Sequence, residues 1–156
     1  MHIRSYRDGD APALVQLFYD SVRQVGRRAY SQAQVEAWAP QVFEPERFAK
    51  KATDGRTFLV AVDGRDEPIA FGDLEADGHI DYLFCRPDVV GKGVASALYD
   101  HLEETARARA APRLYTEASE LARPLFARKG FIVSARRDFV LNGVAIHNYA
   151  MAKELR

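Results

Sequence analysis

Two features of the chain are equipped for chemistry: a pair of glycines where a strand gives way to a helix, and a carboxylate set in an apolar strand. The stretch His79 to Tyr99, HIDYLFCRPDVVGKGVASALY, holds both. Gly91 and Gly93 let the backbone approach a ligand closely, and the first N–H groups of the helix behind them have no intrahelical acceptor. Those groups, the helix dipole and Lys92 suit the turn to an anion such as a pyrophosphate. A bare Gly-x-Gly also fits a tight turn with no ligand. The segment lacks the third glycine of a dinucleotide fingerprint and the Gly-Lys-Ser/Thr of a P-loop.

Asp81 lies in Ile80 to Cys85, a run that is otherwise apolar or aromatic. A carboxylate there is costly to bury unpaired, so it is either a base at a site or the partner of an arginine or a backbone N–H. Alternation predicts that Asp81, Leu83 and Cys85 share one face. Glu75, near the end of the preceding strand, is the second candidate base. Tyr115 and Tyr149 are candidate proton donors, although buried tyrosines more often just satisfy a hydrogen bond. Cys85, the only cysteine, excludes a disulfide framework and reads as an inert buried thiol. His79 and His101 lack metal-ligand spacing, so no metal is expected.

These residues need a scaffold. His2 to Arg7 alternates as a first strand, and Asp8-Gly9-Asp10 breaks it before a helix whose face carries Leu14, Phe18, Val22 and Val25. Ser31 to Glu36 reads as a second short helix, and a third begins around Glu44-Pro45. Tyr19 lies on the first helix, and Tyr30 and Trp38 on connecting elements, where they form either a satellite core or one wall of a substrate pocket. Thr57 to Val62 and Pro68 to Glu75 make a hairpin through Asp63-Gly64, and Ala76-Asp77-Gly78 turns into the strand of Asp81. Val94, Leu98, Leu102 and Ala106 mark an amphipathic helix, whose crossover to Arg113–Glu117 permits a parallel pair. A short helix at Pro124 to Lys129 ends at Gly130, a strand runs from Phe131 to about Leu141, and Asn142-Gly143 turns it into a last strand, Val144 to Met151.

A chain of 156 residues, 47% hydrophobic and 28% charged, suits one globular domain spanning 1–156. Lys plus Arg and Asp plus Glu balance at 22 each, so no global field draws it to nucleic acid or an anionic membrane, and the Arg107-to-Arg113 cluster reads as a solvated face. The N-terminus has no apolar signal region and no apolar run approaches a membrane span, so the expected location is cytoplasmic.

The glycine turn resembles the signature Gln/Arg-x-x-Gly-x-Gly/Ala of the GNAT superfamily of acyl-CoA-dependent N-acyltransferases. Val90-Gly91-Lys92-Gly93-Val94-Ala95 fits at the glycines and at Ala95, with Val90 where the family has Gln or Arg. Ser119 to Phe131 is similar to the family's Asn-x-x-Ala-x-x-x-Tyr-x-x-x-Gly-Phe segment, with Ser119 for Asn, Phe126 for Tyr, and Ala122, Gly130 and Phe131 in register. The resemblance covers nearly the whole chain. It implies an α/β fold of three layers, with a mixed, mostly antiparallel central sheet of about six to seven strands and helices on both faces.

It also implies acetyl-CoA as co-substrate. Pantetheine and the acyl carbonyl would meet the backbone of Leu83, Phe84 and Cys85 in a gap between splayed strands. The phosphates would meet Gly91, Lys92, Gly93, Val94, Ala95 and Ser96, beside Val90, and Phe126 would pack next to CoA. Some members carry a catalytic carboxylate where Asp81 stands. The acceptor, a primary amine of a small molecule or peptide, would face Tyr19, Tyr30, Trp38 and Tyr149. The implied reaction is direct attack of the amine within a ternary complex. A non-catalytic acyl-CoA-binding or sensing module is the alternative reading, motivated by Val90 and Phe126. Monomer and homodimer both remain open.

Overall fold

The strand expected to run from Ile80 to Cys85 is broken in the middle, and the break organises the molecule. The computed structural model describes residues 1–156. In chain order its elements are β1 (His2–Ser5), α1 (Ala11–Asp20), α2 (Gln32–Trp38), α3 (Pro45–Ala52), β2 (Thr57–Val62), β3 (Pro68–Leu74), β4 (His79–Ile80), β5 (Leu83–Cys85), α4 (Val94–Ala108), β6 (Arg113–Ala118), α5 (Arg123–Arg128), β7 (Ile132–Leu141) and β8 (Val144–Glu154). The eight strands form two four-stranded sheets, ordered β1-β2-β3-β5 and β4-β6-β8-β7. The architecture is a mixed α/β fold, and its strands divide between two sheets where one sheet of six to seven was expected.

Local chemistry explains the elements. Ser31 and Gln34 form a reciprocal capping box at the start of α2 (3.1 and 2.8 Å). Gly93 caps α4 at φ 81°, and Asn142 (φ 48°) and Gly143 (φ 79°) supply the two positive dihedrals of the β7–β8 turn. Alternation in β2 sends Phe58, Val60 and Val62 to a core shared with Leu14, Phe18, Val35 and Phe48 of α1, α2 and α3, while Ala61 packs with Val94 and Leu98 of α4. Helices therefore cover both faces. Leu102 of α4 is fully buried beside Leu114, Phe126 and Met151, so its truncation to Ala would cost about 2–5 kcal/mol. No helix is long and apolar enough to cross a membrane.

At the break, β5 stays antiparallel to β3, with Phe71 opposite Phe84, whereas β4 pairs parallel to β6, with Ile80 opposite Thr116. Asp81 and Tyr82 belong to neither strand. Their N–H groups both donate to Oδ1 of Asp73 (2.9 and 2.7 Å), a fully buried residue whose Oδ2 accepts from Arg56 (2.7 Å). The buried carboxylate thus satisfies the amides that the ladder releases, which an apolar residue could not do. Burial pushes its pKa up to about 6 against those hydrogen bonds.

The break also rotates the chain. Leu83 and Cys85 pack toward α4, but the Asp81 carboxylate turns to Lys51 of α3 (3.3 Å) and to Arg56 (3.5 Å). The expected common face for these three residues fails because alternation does not pass through a two-residue interruption.

Candidate active site

Beyond the break β5 and β6 no longer pair, and two cavities open along the gap. Trp38, Leu83, Phe84, Ser119 and Ala122 line both and form their common wall.

The glycine-turn cavity, about 500 Å³, is bounded by Leu83, Phe84, Cys85, Val89, Val90, Gly91, Gly93, Val94, Ala95 and Ser96, with Pro124 and Arg128 of α5 opposite. Gly91 and Gly93 both sit at φ 81°, and a Cβ on either would meet nothing within 4 Å, so their open sides are free for a ligand. Lys92 is exposed and lies outside the lining. The first turn of α4 presents amides without intrahelical acceptors. Burial pushes the Cys85 thiol up to about 11. On either side of β5, Arg86 N–H donates to Ile69 O (2.8 Å) and Tyr82 O accepts from Asp73 N–H (3.1 Å). Alternation then directs the main-chain groups of Leu83 and Cys85 away from β3 and into the gap.

The second cavity, about 290 Å³, is walled by rings, including Phe18, Trp38, Phe43, Tyr82, Phe84 and Phe139, and Asp81 and Glu117 are the acidic residues of its lining. Glu117 shares the imidazole of His79 (2.8 Å), whose other nitrogen meets Glu75 (2.7 Å). Burial opposes charge on His79, but the two carboxylates outweigh it and raise its pKa. On the opposite side His147 lines the cavity and is held by Glu120 (2.7 Å), which also accepts from Tyr149 (3.0 Å). The His147 contact, ahead of opposing burial, lowers the Glu120 pKa.

Of the residues singled out in the sequence, Asp81, Tyr30 and Trp38 reach the aromatic cavity. Tyr30 is only 3% exposed and ties the segment before α2 to the far sheet, its hydroxyl donating to His147 O (2.9 Å) and accepting from Glu120 N–H (2.9 Å). Phe126, also buried, packs edge-on against Tyr99 and Phe131 and reaches that same cavity rather than the glycine-turn one. Tyr19 and Tyr149 line neither cavity; Arg23 covers one ring and Arg123 the other. Glu75 and Tyr115 also lie outside. Glu75 is held by His79, and the Tyr115 hydroxyl donates to Asp77, which pushes its pKa up to about 12. Ser119 caps the turn into α5, accepting from Ala122 N–H (3.1 Å), while lining both cavities.

Residues that sequence reasoning missed are Asp73, Lys51, Arg56, Glu117 and His147. Asp73 was detectable by the signal that marked Asp81, a carboxylate in an apolar strand. Lys51 and Arg56 sit in polar surroundings in the sequence, Glu117 and His147 lie on two strands far apart in the chain, and only folding gathers them.

A glycine turn with an open side and a pocket lined by rings and carboxylate residues thus meet along the gap between two strands. Residues 27–153 match the family model described as an acetyltransferase (GNAT) domain, and the chain belongs to that family of acyltransferases. A solved GCN5-related N-acetyltransferase from Rhodopseudomonas palustris is 34% identical, with a TM-score of 0.90 over 99% of this chain and 95% of that one. An uncharacterized N-acetyltransferase of Escherichia coli, YafP, is 28% identical over 151 residues, 97% of this chain and 94% of its own. The structure of yncA from Salmonella typhimurium with acetyl-CoA, 17% identical, shares the fold at a TM-score of 0.79 over 100% of this chain and 94% of that one.

Proposed function

We propose that the chain, acting as one domain, transfers an acetyl or other short acyl group from acetyl-CoA to a primary amine by direct attack within a ternary complex. The observation that carries this reading is the common wall: Trp38, Leu83, Phe84, Ser119 and Ala122 border both cavities, so a thioester at the end of one meets a nucleophile in the other. The yncA neighbour is a complex with acetyl-CoA. By analogy the glycine-turn cavity takes CoA, its phosphates against the amides of Gly91 to Ser96 and its pantetheine along the Leu83 and Cys85 backbone.

A protonated amine has no lone pair, and Asp81, on the aromatic cavity, takes its proton directly or through water. The amine nitrogen then bonds to the thioester carbonyl carbon, main-chain N–H groups of β5 stabilise the oxyanion, the nitrogen gives its second proton to water, and the C–S bond breaks as the carbonyl re-forms. The only thiol at the site, Cys85, is held protonated by burial, which argues against a covalent acyl-cysteine and for direct attack. Neither Phe126, which has no hydroxyl, nor Tyr115, which is bound to Asp77, protonates the departing CoA thiolate. A thiol of reference pKa about 8.5 is a competent leaving group, and solvent supplies that proton.

The test is to mix protein, acetyl-CoA and a panel of primary amines and follow acetylated amine and free thiol by mass spectrometry. Equal amounts of the two are expected. Acetyl-CoA binding with no acetylated amine from any member would overturn the catalytic reading in favour of a binding module.

A further inference from the structure

The aromatic cavity has properties beyond its position. Its walls are rich in rings: Phe18 stands edge-on to Phe84 (4.9 Å between centroids) and stacks on Phe43 (5.6 Å), and Trp38 and Tyr82 line it too. At about 290 Å³ it holds the volume of about ten waters, enough for one ring on a short linker and too little for a folded segment. Its charged lining is unequal in its commitments. Asp81 is engaged by Lys51 and Arg56, and Glu117 meets His79 through one oxygen, Oε1, leaving Oε2 to accept from an ammonium. Arg47 is the one cation in the lining; it is exposed at the rim, and its guanidinium lies 3.9 Å over the Phe43 ring.

Resting on the acyltransferase reading, we infer that the acceptor is a small arylalkylamine, a single primary ammonium joined by a short linker to an aromatic ring. The ammonium sits at the carboxylate end, beside the thioester at the common wall, and the ring lies among Phe18, Trp38, Phe43 and Phe84. Aromatic faces also attract the cation as it enters. Arg47 discriminates at the rim, because a second positive charge, as in a polyamine or a basic peptide, meets a like charge there. An alkylamine without a ring leaves the aromatic walls unfilled and forfeits their dispersion contacts.

The test measures kcat/KM for 2-phenylethylamine, n-butylamine, spermidine and a short lysine-containing peptide at saturating acetyl-CoA, together with calorimetric binding of 2-phenylethylamine to the CoA-loaded protein. We expect 2-phenylethylamine to be preferred over each of the others by on the order of tenfold or more. Glu117→Gln should raise its KM by a similar factor while leaving acetyl-CoA affinity unchanged. Preference for butylamine, spermidine or the peptide would overturn the acceptor class and leave the acyltransferase reading standing. Binding of 2-phenylethylamine with no acetylation of any amine would support the pocket assignment and overturn the catalytic reading. Failure of 2-phenylethylamine both to bind and to react would overturn the inference.

Discussion

The two cavities that share a wall are built from different materials. The glycine-turn cavity owes its polar groups to main chain, from two glycines in the left-handed region, the start of α4 and the β5 groups that β3 leaves unpaired, and its apolar wall to side chains such as Val22, Val25, Leu121 and Leu125. The aromatic cavity is made of side chains from α1, α2, β6 and the β7–β8 hairpin, and of ring and carboxylate positions that only the fold brings together. Contacts made by main chain tolerate changes of side chain as long as the backbone is kept, so Val90 can depart from the family pattern without dismantling them. A side-chain site can be altered residue by residue, which is where the proposed acceptor selectivity can be tested.

The sharpest way to separate the two is to remove the base while keeping the cradle. Asp81→Asn should lower kcat by about 10²–10⁴-fold, the usual worth of a general base, with acetyl-CoA affinity unchanged by calorimetry. A full rate with an unaltered pH profile would transfer the role to Glu117 or to solvent. The support beneath both cavities is the next target. Asp73→Ala would orphan the Asp81 and Tyr82 amides and the Arg56 guanidinium together, and denaturant unfolding should show a loss of about 3–5 kcal/mol.

The cradle comes next in size. Gly93→Val places a β-branched residue at φ 81° and fills the open side of the turn, so acetyl-CoA should bind about tenfold to hundredfold more weakly while a competing amine ligand is unaffected. Wild-type affinity would remove the phosphates from this turn.

Acid should split activity from stability. The Asp73 carboxyl titrates at about 6 in the folded chain against an ordinary 3.8, so as pH falls through 6 the native state takes up a proton that the unfolded chain does not. That group then adds stability between pH 6 and its ordinary value, by proton linkage. Activity should move the other way, because neutral Asp73 releases Arg56 to Asp81, which it already approaches at 3.5 Å. A fall in kcat/KM below about pH 6 with no loss of melting temperature down to about pH 5 is expected; parallel losses would refer the acid limb to unfolding. The smallest effect belongs to Cys85→Ala, which should leave kcat within about twofold, since a buried neutral thiol takes no part in direct attack.

The same contrast decides what could be read from the sequence. Gly91 and Gly93 mark the turn before α4 because it depends on backbone freedom at fixed spacing, which a single segment displays. The parallel pairing of β4 with β6 followed from the helical crossover between them. The break at Asp81-Tyr82 did not, because its cause is Asp73, held on a different strand and bonded across the sheet. Glu117 and His147 lie apart in the chain and become neighbours of one cavity only after β6 and β8 pair. Tyr19 and Tyr149 illustrate the converse: aromatic type and approximate position suggested a wall, and an arginine stacks on each ring instead.

The central claim is that both substrates occupy the adjoining cavities at once and react across their common wall. Initial velocities measured while acetyl-CoA and the acceptor amine are varied together test it directly. Double-reciprocal lines that intersect are the predicted result, since the amine must meet intact thioester. Parallel lines, the pattern of an acyl-enzyme formed and discharged in turn, would contradict the account and return Cys85 to consideration as the carrier.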